Sequence, residues 1–259
     1  MRKFLFFLVF FLSSCGASSV PDRILRIDHT GFTLWIDCKK RGAQFFRYNA
    51  QRDTGNFKRH RRFYFDPDVP RECQQWSTKA YHAPKGAPKY DRGHLVPANH
   101  LDYDRQAIRE SNYITNILPQ TATLNRGAWY RTEEIIECRR DRHELQVLGG
   151  PVWGNDPSDD YFLKSHGVET PSAFWKVVVD GTSGEVNAWI IPNDRSAKKS
   201  RLDSYLVPVA TILKVIDEDM DQEAKEDPDT MAILRELMAV QDWPEPEKSW
   251  PVPRGCQKE

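Results

Sequence analysis

Two apolar-rich runs, GFTLWIDC (31–38) and AQFFRYNA (43–50), read as strands joined by a short basic turn. ELQVLGGPVWG (144–154) reads as a buried strand stopped by Gly149, Gly150 and Pro151. AFWKVVVD (173–180) and EVNAWIIPN (185–193) flank the turn residues GTSG and predict a hairpin. A shorter strand is expected within SNYITNILPQ (111–120), between polar loops. Helical spacing begins at Asn125: in NRGAWYRTEEIIECRRDR, Trp129, Thr132, Ile136 and Arg139 share a face. DSYLVPVATILKVID (203–217) predicts a helix broken or started at Pro208, and PDTMAILRELMAV (228–240) an amphipathic helix with an Asp or Thr cap. Strands mixed irregularly with a few helices indicate an α+β fold rather than a regular βαβ series.

Composition adds little to this picture until charge is read locally. The 259 residues are 39% apolar and 29% charged, as in a globular protein, and the formal net charge is zero. Residues 39–62 nevertheless carry nine Lys or Arg against one acid, Asp53. Residues 217–229 carry eight acids against one base, Lys225. A polyanion would feel the first segment as an attractive patch; the plainer alternative is two solvated faces that partly attract each other. No helix-turn-helix, zinc-finger or RNA-recognition signature that would read bases is present in the sequence.

The first residues, MRKFLFFLVFFLSSCGASS, combine a basic start, an apolar run and small residues, the pattern of a secretory signal (1–19). LSSC ending at Cys15 also has the form of a lipoprotein processing site, with Cys15 lipidated; cleavage after Gly16 to Ser18 is the alternative. Export to the periplasm, the outer membrane or the medium is therefore expected, with membrane contact only through such an anchor. Cys38, Cys73, Cys138 and Cys256 are then an even set in an oxidising compartment, with three connectivities open. The favoured one joins Cys38 to Cys73, bracing the basic segment, and Cys138 to Cys256, pinning the tail. One domain over 20–216 is expected, followed by an acidic helical extension, 217–259, packed on or tethered to it.

The densest chemistry lies in YDRGHLVPANH (90–100). An imidazole titrating near pH ~6.5 can accept a proton at neutral pH without tuning, which makes His94 a candidate base. Gly93 offers backbone freedom beside it. Arg92 is a permanent cation suited to phosphate oxygens. A lone histidine is more often structural, and only the clustering argues otherwise. Asn125 has two readings, a helix cap or an amide-oxygen ligand for Mg²⁺. Glu133 lies at i+8 from Asn125 on one helix face, ~12 Å along the axis at ~1.5 Å per residue. It would therefore reach an Asn125-bound ion only by leaning back, through metal-bound water. Such a sparse site suits a substrate whose phosphates complete the shell.

DRGHLVPANH followed by SNYITNILPQTATLNRGAWYRTEE resembles the DNA/RNA non-specific endonucleases of the ββα-metal (His-Me finger) type, an endonuclease G-like family. The similarity extends through VLGGPVWG, PSAFWKVVVD and AWIIPN, over roughly residues 30–215. It implies a central antiparallel sheet flanked by helices, and Mg²⁺-dependent hydrolysis of DNA and RNA giving 5′ phosphates, with Mn²⁺ as a substitute ion. It further implies His94 as general base, Asn125 as direct ligand, Glu133 as partner of metal-bound water, and Arg92 ordering the site or contacting phosphate. Asn116 and Gln120 match polar positions around the metal. Related nucleases often carry an arginine one turn after the metal-site Glu, where this chain has Glu137. Arg126, Arg131, Arg139 or an arginine of KRHRR would supply that charge, and Arg61 or Arg62 is the preferred second phosphate clamp. A homodimer and an inhibitor protein are partners the resemblance suggests. The rival from another class is a catalytically inactive exported nucleic-acid-binding protein.

Overall fold

The structure, a computed structural model, describes residues 23–240, 248–253 and 256. The signal segment and Cys15 lie outside the described residues. The chain opens with β1 (Ile24–His29), which pairs antiparallel with β2 (Phe32–Asp37) and then β3 (Gly42–Ala50). After a long loop come β4 (Tyr90–His94), α1 (Arg105–Glu110), β5 (Ile117–Thr121), α2 (Ala122–Asn125) and α3 (Ala128–Arg140). Then follow β6 (Leu145–Val152), α4 (Leu163–His166), β7 (Ala173–Asp180), β8 (Val186–Pro192), α5 (Val209–Asp219), α6 (Gln222–Glu226) and α7 (Pro228–Val240). The main sheet has the order β1-β2-β3-β6-β7-β8, every pair antiparallel, and β4-β5 forms a separate ribbon.

Alternation along the strands divides the core in two. Phe46, Tyr48, Val147, Phe174 and Val178 face a layer built from β4, β5, α2 and α3. Their neighbours Phe45, Leu148, Trp175, Val177 and Val179 face α5, α6 and α7, which contribute Ile212, Ile216, Ala224, Ile233 and Leu237. A sheet covered on both faces explains why β2 and β7 carry almost continuous apolar runs rather than half-polar ones.

The acidic extension is thus the second cover of the sheet, and α5 runs across the expected boundary at 216. Pro208 caps α5, in keeping with a start there. Asp227, just ahead of the expected cap residues, accepts from the backbone N–H of Asp229 (2.9 Å) and Thr230 (3.1 Å) at the start of α7. Lys39 meets Asp221 at 3.3 Å and Arg47 meets Glu236 at 2.5 Å. The basic segment is therefore not one patch. Lys39 and Arg47 serve the extension, Lys40 pairs with Glu169 (2.6 Å), and Arg59, in the loop after β3, lines a cleft on the opposite layer. Cys38 is bonded to Cys73 and Cys138 to Cys256, the favoured pairing.

Three local expectations are corrected. The short strand expected within 111–120 starts only at Ile117, as β5, after a 3-10 turn over Ile114–Asn116. The helix expected from Asn125 onward is broken: Asn125 ends α2, and α3 restarts after Gly127. A side chain at 127 would meet the Thr123 carbonyl oxygen at 2.2 Å and that of Ala197 at 2.5 Å, so only glycine lets the chain turn there. The buried face of α3 ends on Arg140; Arg139 instead reaches Asp180 (2.6 Å).

Candidate active site

β4 and β5 hold His94 opposite Ile117, and the loop that follows is stapled in place. Asn116, fully buried, accepts from Val96 N (3.0 Å) and donates to the carbonyls of Val96 (2.9 Å) and Ser111 (2.8 Å). Gln120 packs flat on Gly93: a Cβ at 93 would sit 2.3 Å from its carboxamide. Close approach, rather than backbone freedom, therefore explains that glycine. Neither Asn116 nor Gln120 lines the cleft described below.

The cleft has a volume of about 320 Å³, and its walls include His94, Arg92, Arg59, Asn125, Arg126 and Glu133. Its floor is the start of α3, fixed to the ribbon by Trp129, whose indole N–H donates to the His94 carbonyl (3.1 Å). Asp91 of β4 explains the first letter of the Asp-Arg-Gly-His motif. Its carboxylate accepts from Asn125 Nδ2 (3.0 Å) and, side-on, from Nε and Nη2 of Arg126 (2.8 and 2.6 Å). Asn125 is thereby tied down by its amide nitrogen, which leaves the lone pairs of the amide oxygen to face the cleft. Arg92 donates to Thr78 O (2.9 Å) and stacks on Phe63 (4.1 Å to the ring centroid).

His94 is nearly buried, and its tautomer follows from its neighbours. The Asn112 amide nitrogen donates to the carbonyls of His60 (2.7 Å) and Arg62 (3.0 Å), so its oxygen is the atom turned toward His94 Nε2, 2.9 Å away. Nε2 must then carry the proton, and Nδ1 presents its lone pair. That lone pair faces Arg59, 3.3 Å off. Burial first, and the Arg59 charge second, push the His94 pKa down to about 3. The ring is a neutral base at any ordinary pH.

Beneath Glu133 lies Lys176 of β7, fully buried. Its ammonium donates to Thr132 Oγ1 (2.8 Å) and sits 3.6 Å from the Trp129 ring centroid. Burial lowers its pKa, opposed by the negative charge of Glu133. Glu137 turns away from the cleft to His100 (3.2 Å) and Arg140 (2.9 Å). Burial would raise its pKa, but those partners hold it at about 2.

The predicted set separates accordingly. His94, Arg92, Asn125, Arg126 and Glu133 share one cleft, whereas Arg131 pairs with Glu134 (3.1 Å) outside it. Arg61 and Arg62 are exposed and do not line the cleft; Arg59, two residues earlier in the same basic run, does. Asp91, Asn112 and Lys176 escaped sequence reasoning. Asp91 was visible in the motif, but nothing in one sequence marks Asn112 or Lys176 as neighbours of the site.

A family model described as DNA/RNA non-specific endonuclease matches residues 18–227. The mitochondrial endonuclease G of Homo sapiens is 27% identical over 160 residues, 55% of this chain and 54% of that protein. The nuclease of Serratia marcescens is 30% identical over 163 residues, 60% of this chain and 59% of its own length. The chain thus spans between half and three fifths of these curated relatives. A crystal structure of an EndoG/EndoGI complex superposes with a TM-score of 0.58 at 17% identity, over 76% of this chain and 87% of the other. That likeness shows the fold, which is α+β and of the ββα-metal type.

Proposed function

Since the chain belongs to the DNA/RNA non-specific endonuclease family, we propose that it is an endonuclease hydrolysing phosphodiester bonds of DNA and RNA without sequence preference. The observation that carries this reading is the cleft that gathers a neutral imidazole, an amide oxygen, a carboxylate and arginines within one small volume. Nδ1 of His94 takes the proton of the attacking water. In this structure Nδ1 accepts from Arg59; a substrate phosphate, the stronger acceptor, would draw that guanidinium away and leave the lone pair to the water. Asn112 keeps the second ring nitrogen protonated throughout. Arg59 and Arg92 hold the phosphate oxygens, contacts that position a nucleic acid without reading its bases.

The donors suit a hard divalent cation, because Asn125 and Glu133 offer oxygen. We assign Mg²⁺ to them, with Mn²⁺ as a substitute. Bound there, the ion would supply charge neutralisation at the phosphate, and cleavage on the 3′-oxygen side would leave products with 5′ phosphates. General-base action contributes ~10²–10⁴-fold.

Export is part of the same reading, supported by two disulfides and the pattern of residues 1–19. The EndoG neighbour was solved with its inhibitor EndoGI, which supports an inhibitor protein as a partner here. The test is cleavage of plasmid DNA and of RNA by purified protein with Mg²⁺, repeated with chelator. Retardation without cleavage would instead favour a nucleic-acid-binding protein.

A further inference from the structure

We propose that His29, Asp66 and Asp68 form a second divalent-metal site, of transition-metal type, outside the cleft. One ligating atom from each of the three lies within 4.8 Å of the others. His29 ends β1, and its ring is enclosed by Phe32 (4.7 Å between centroids) and Tyr113 (5.7 Å), leaving 1% of the side chain exposed. Asp66 is wholly enclosed, while Asp68 is exposed at the surface. None of the three lines the cleft.

Exposed acids gather often without holding an ion, so the argument rests on the buried imidazole. Nε2 of His29 lies 3.2 Å from Asp66 Oδ2, yet it has no hydrogen-bond partner among the described residues. The two atoms are close without an N–H aimed along the line between them. The same near-miss joins His100 Nε2 to Glu137 (3.2 Å), but there Arg140 supplies a cation, whereas the described ion pairs bring no lysine or arginine to His29 and Asp66. The spacing also suits two ligands converging on a third point: donors ~2.0–2.1 Å from a tetrahedral ion stand ~3.3 Å apart. Asp66 is also poorly compensated. Its oxygens accept from the Thr115 hydroxyl (2.7 Å) and the Asp68 N–H (3.1 Å), and the described ion pairs give it no lysine or arginine. A buried carboxylate in that position is costly unless a cation joins it.

The donor chemistry selects the metal. An imidazole nitrogen with two carboxylates suits Zn²⁺ or Mn²⁺ rather than the all-oxygen shells of Ca²⁺ and Mg²⁺. Asp68 provides the entry side, where water completes the shell. The ion would join the β1–β2 turn to the loop that ends at Asp66 and Asp68. That loop carries Arg59, and its carbonyls at 60 and 62 are the ones held by Asn112. The site therefore braces the basic loop without entering the chemistry.

The test is metal retention by the full protein, stripped with chelator, incubated with Zn²⁺ and desalted, with bound metal measured by mass spectrometry and affinity by titration calorimetry. The wild type and Asn125→Ala, which alters only the cleft, should each retain about one equivalent and gain thermal stability with Zn²⁺. Asp68→Asn changes an exposed side chain and should keep its fold while binding at least ~10-fold more weakly. His29→Gln should lose retention altogether. Wild-type protein that retains no Zn²⁺ would leave only a histidine–aspartate ion pair and overturn the proposal. Asp68→Asn and His29→Gln binding as tightly as wild type would overturn it as well.

Discussion

Replacing Asn112 by leucine removes the group that fixes the base while keeping its shape. Three contacts go: the acceptor for His94 Nε2 (2.9 Å) and the donors to His60 O (2.7 Å) and Arg62 O (3.0 Å). Each hydrogen bond is worth ~0.5–1.5 kcal/mol net, and leaving buried partners unpaired costs ~1–3 kcal/mol each. With partial relaxation of the loop, the variant should lose about 3–5 kcal/mol of stability. The imidazole is then free to hold its proton on Nδ1 and to swing, and misplacement of that order costs about 10²-fold in turnover. Asn112→Asp supplies the control. It still accepts from Nε2–H but faces two carbonyls, so it should be destabilised too, while recovering part of the lost kcat and raising the His94 pKa through its charge. The assay is initial-rate cleavage of a fluorescent duplex at saturating substrate and Mg²⁺, from pH 5 to 8, beside thermal melts. A folded leucine variant with kcat within twofold of wild type, or leucine and aspartate variants equally slow at every pH, would refute the assignment.

The remaining expectations concern charge. Arg59→Ala should cost ~1.5–3 kcal/mol of substrate and transition-state binding, with a smaller salt slope, whereas Arg61→Ala should stay within about twofold; equal effects would remove Arg59 from the cleft's function. A histidine held at about 3 in the fold binds its proton better unfolded, so stability is full above pH ~6.5 and falls as pH drops toward 3. That loss is about 2 kcal/mol by pH 5, read by urea denaturation, and His94→Asn should flatten it. By the same shift, log(kcat/KM) should show no His94 limb near pH 6.5. Lys176→Met removes a buried ammonium without changing volume much, so the melting temperature should hold or rise while kcat falls about 10-fold as Glu133 loses its neighbouring charge; a melting drop with unchanged kcat would make Lys176 purely structural.

What one sequence reveals depends on whether chemistry and geometry are both local. Strands β2, β3, β6, β7 and β8 were legible because each buries a continuous or alternating face. β1, half exposed and interleaved with charge, carried no such signal. The Asp-Arg-Gly-His motif is contiguous, so Arg92 and His94 could be placed together from the sequence, and both line the cleft. Asn125 and Glu133 line the same cleft but not one continuous helix, because the break at Gly127 is enforced by the carbonyls of Thr123 and, from across the fold, of Ala197. Arg59 was included in KRHRR but not singled out, because the members of that run of like charges differ only in what the loop packs against. Lys176 sits in an apolar strand, where its ammonium becomes meaningful only once α3 lies over it.

The central claim is that the ring at position 94 removes a proton from water in a metal-assisted hydrolysis. Cleavage of supercoiled plasmid by wild type and His94→Ala, matched for melting temperature and assayed with Mg²⁺ and with chelator, addresses it most directly. The wild type should nick and linearise the plasmid only with the ion present, and the alanine variant should be slower by ~10²–10⁴-fold. A variant within a few-fold of wild type, or cleavage that persists in chelator, would contradict the account.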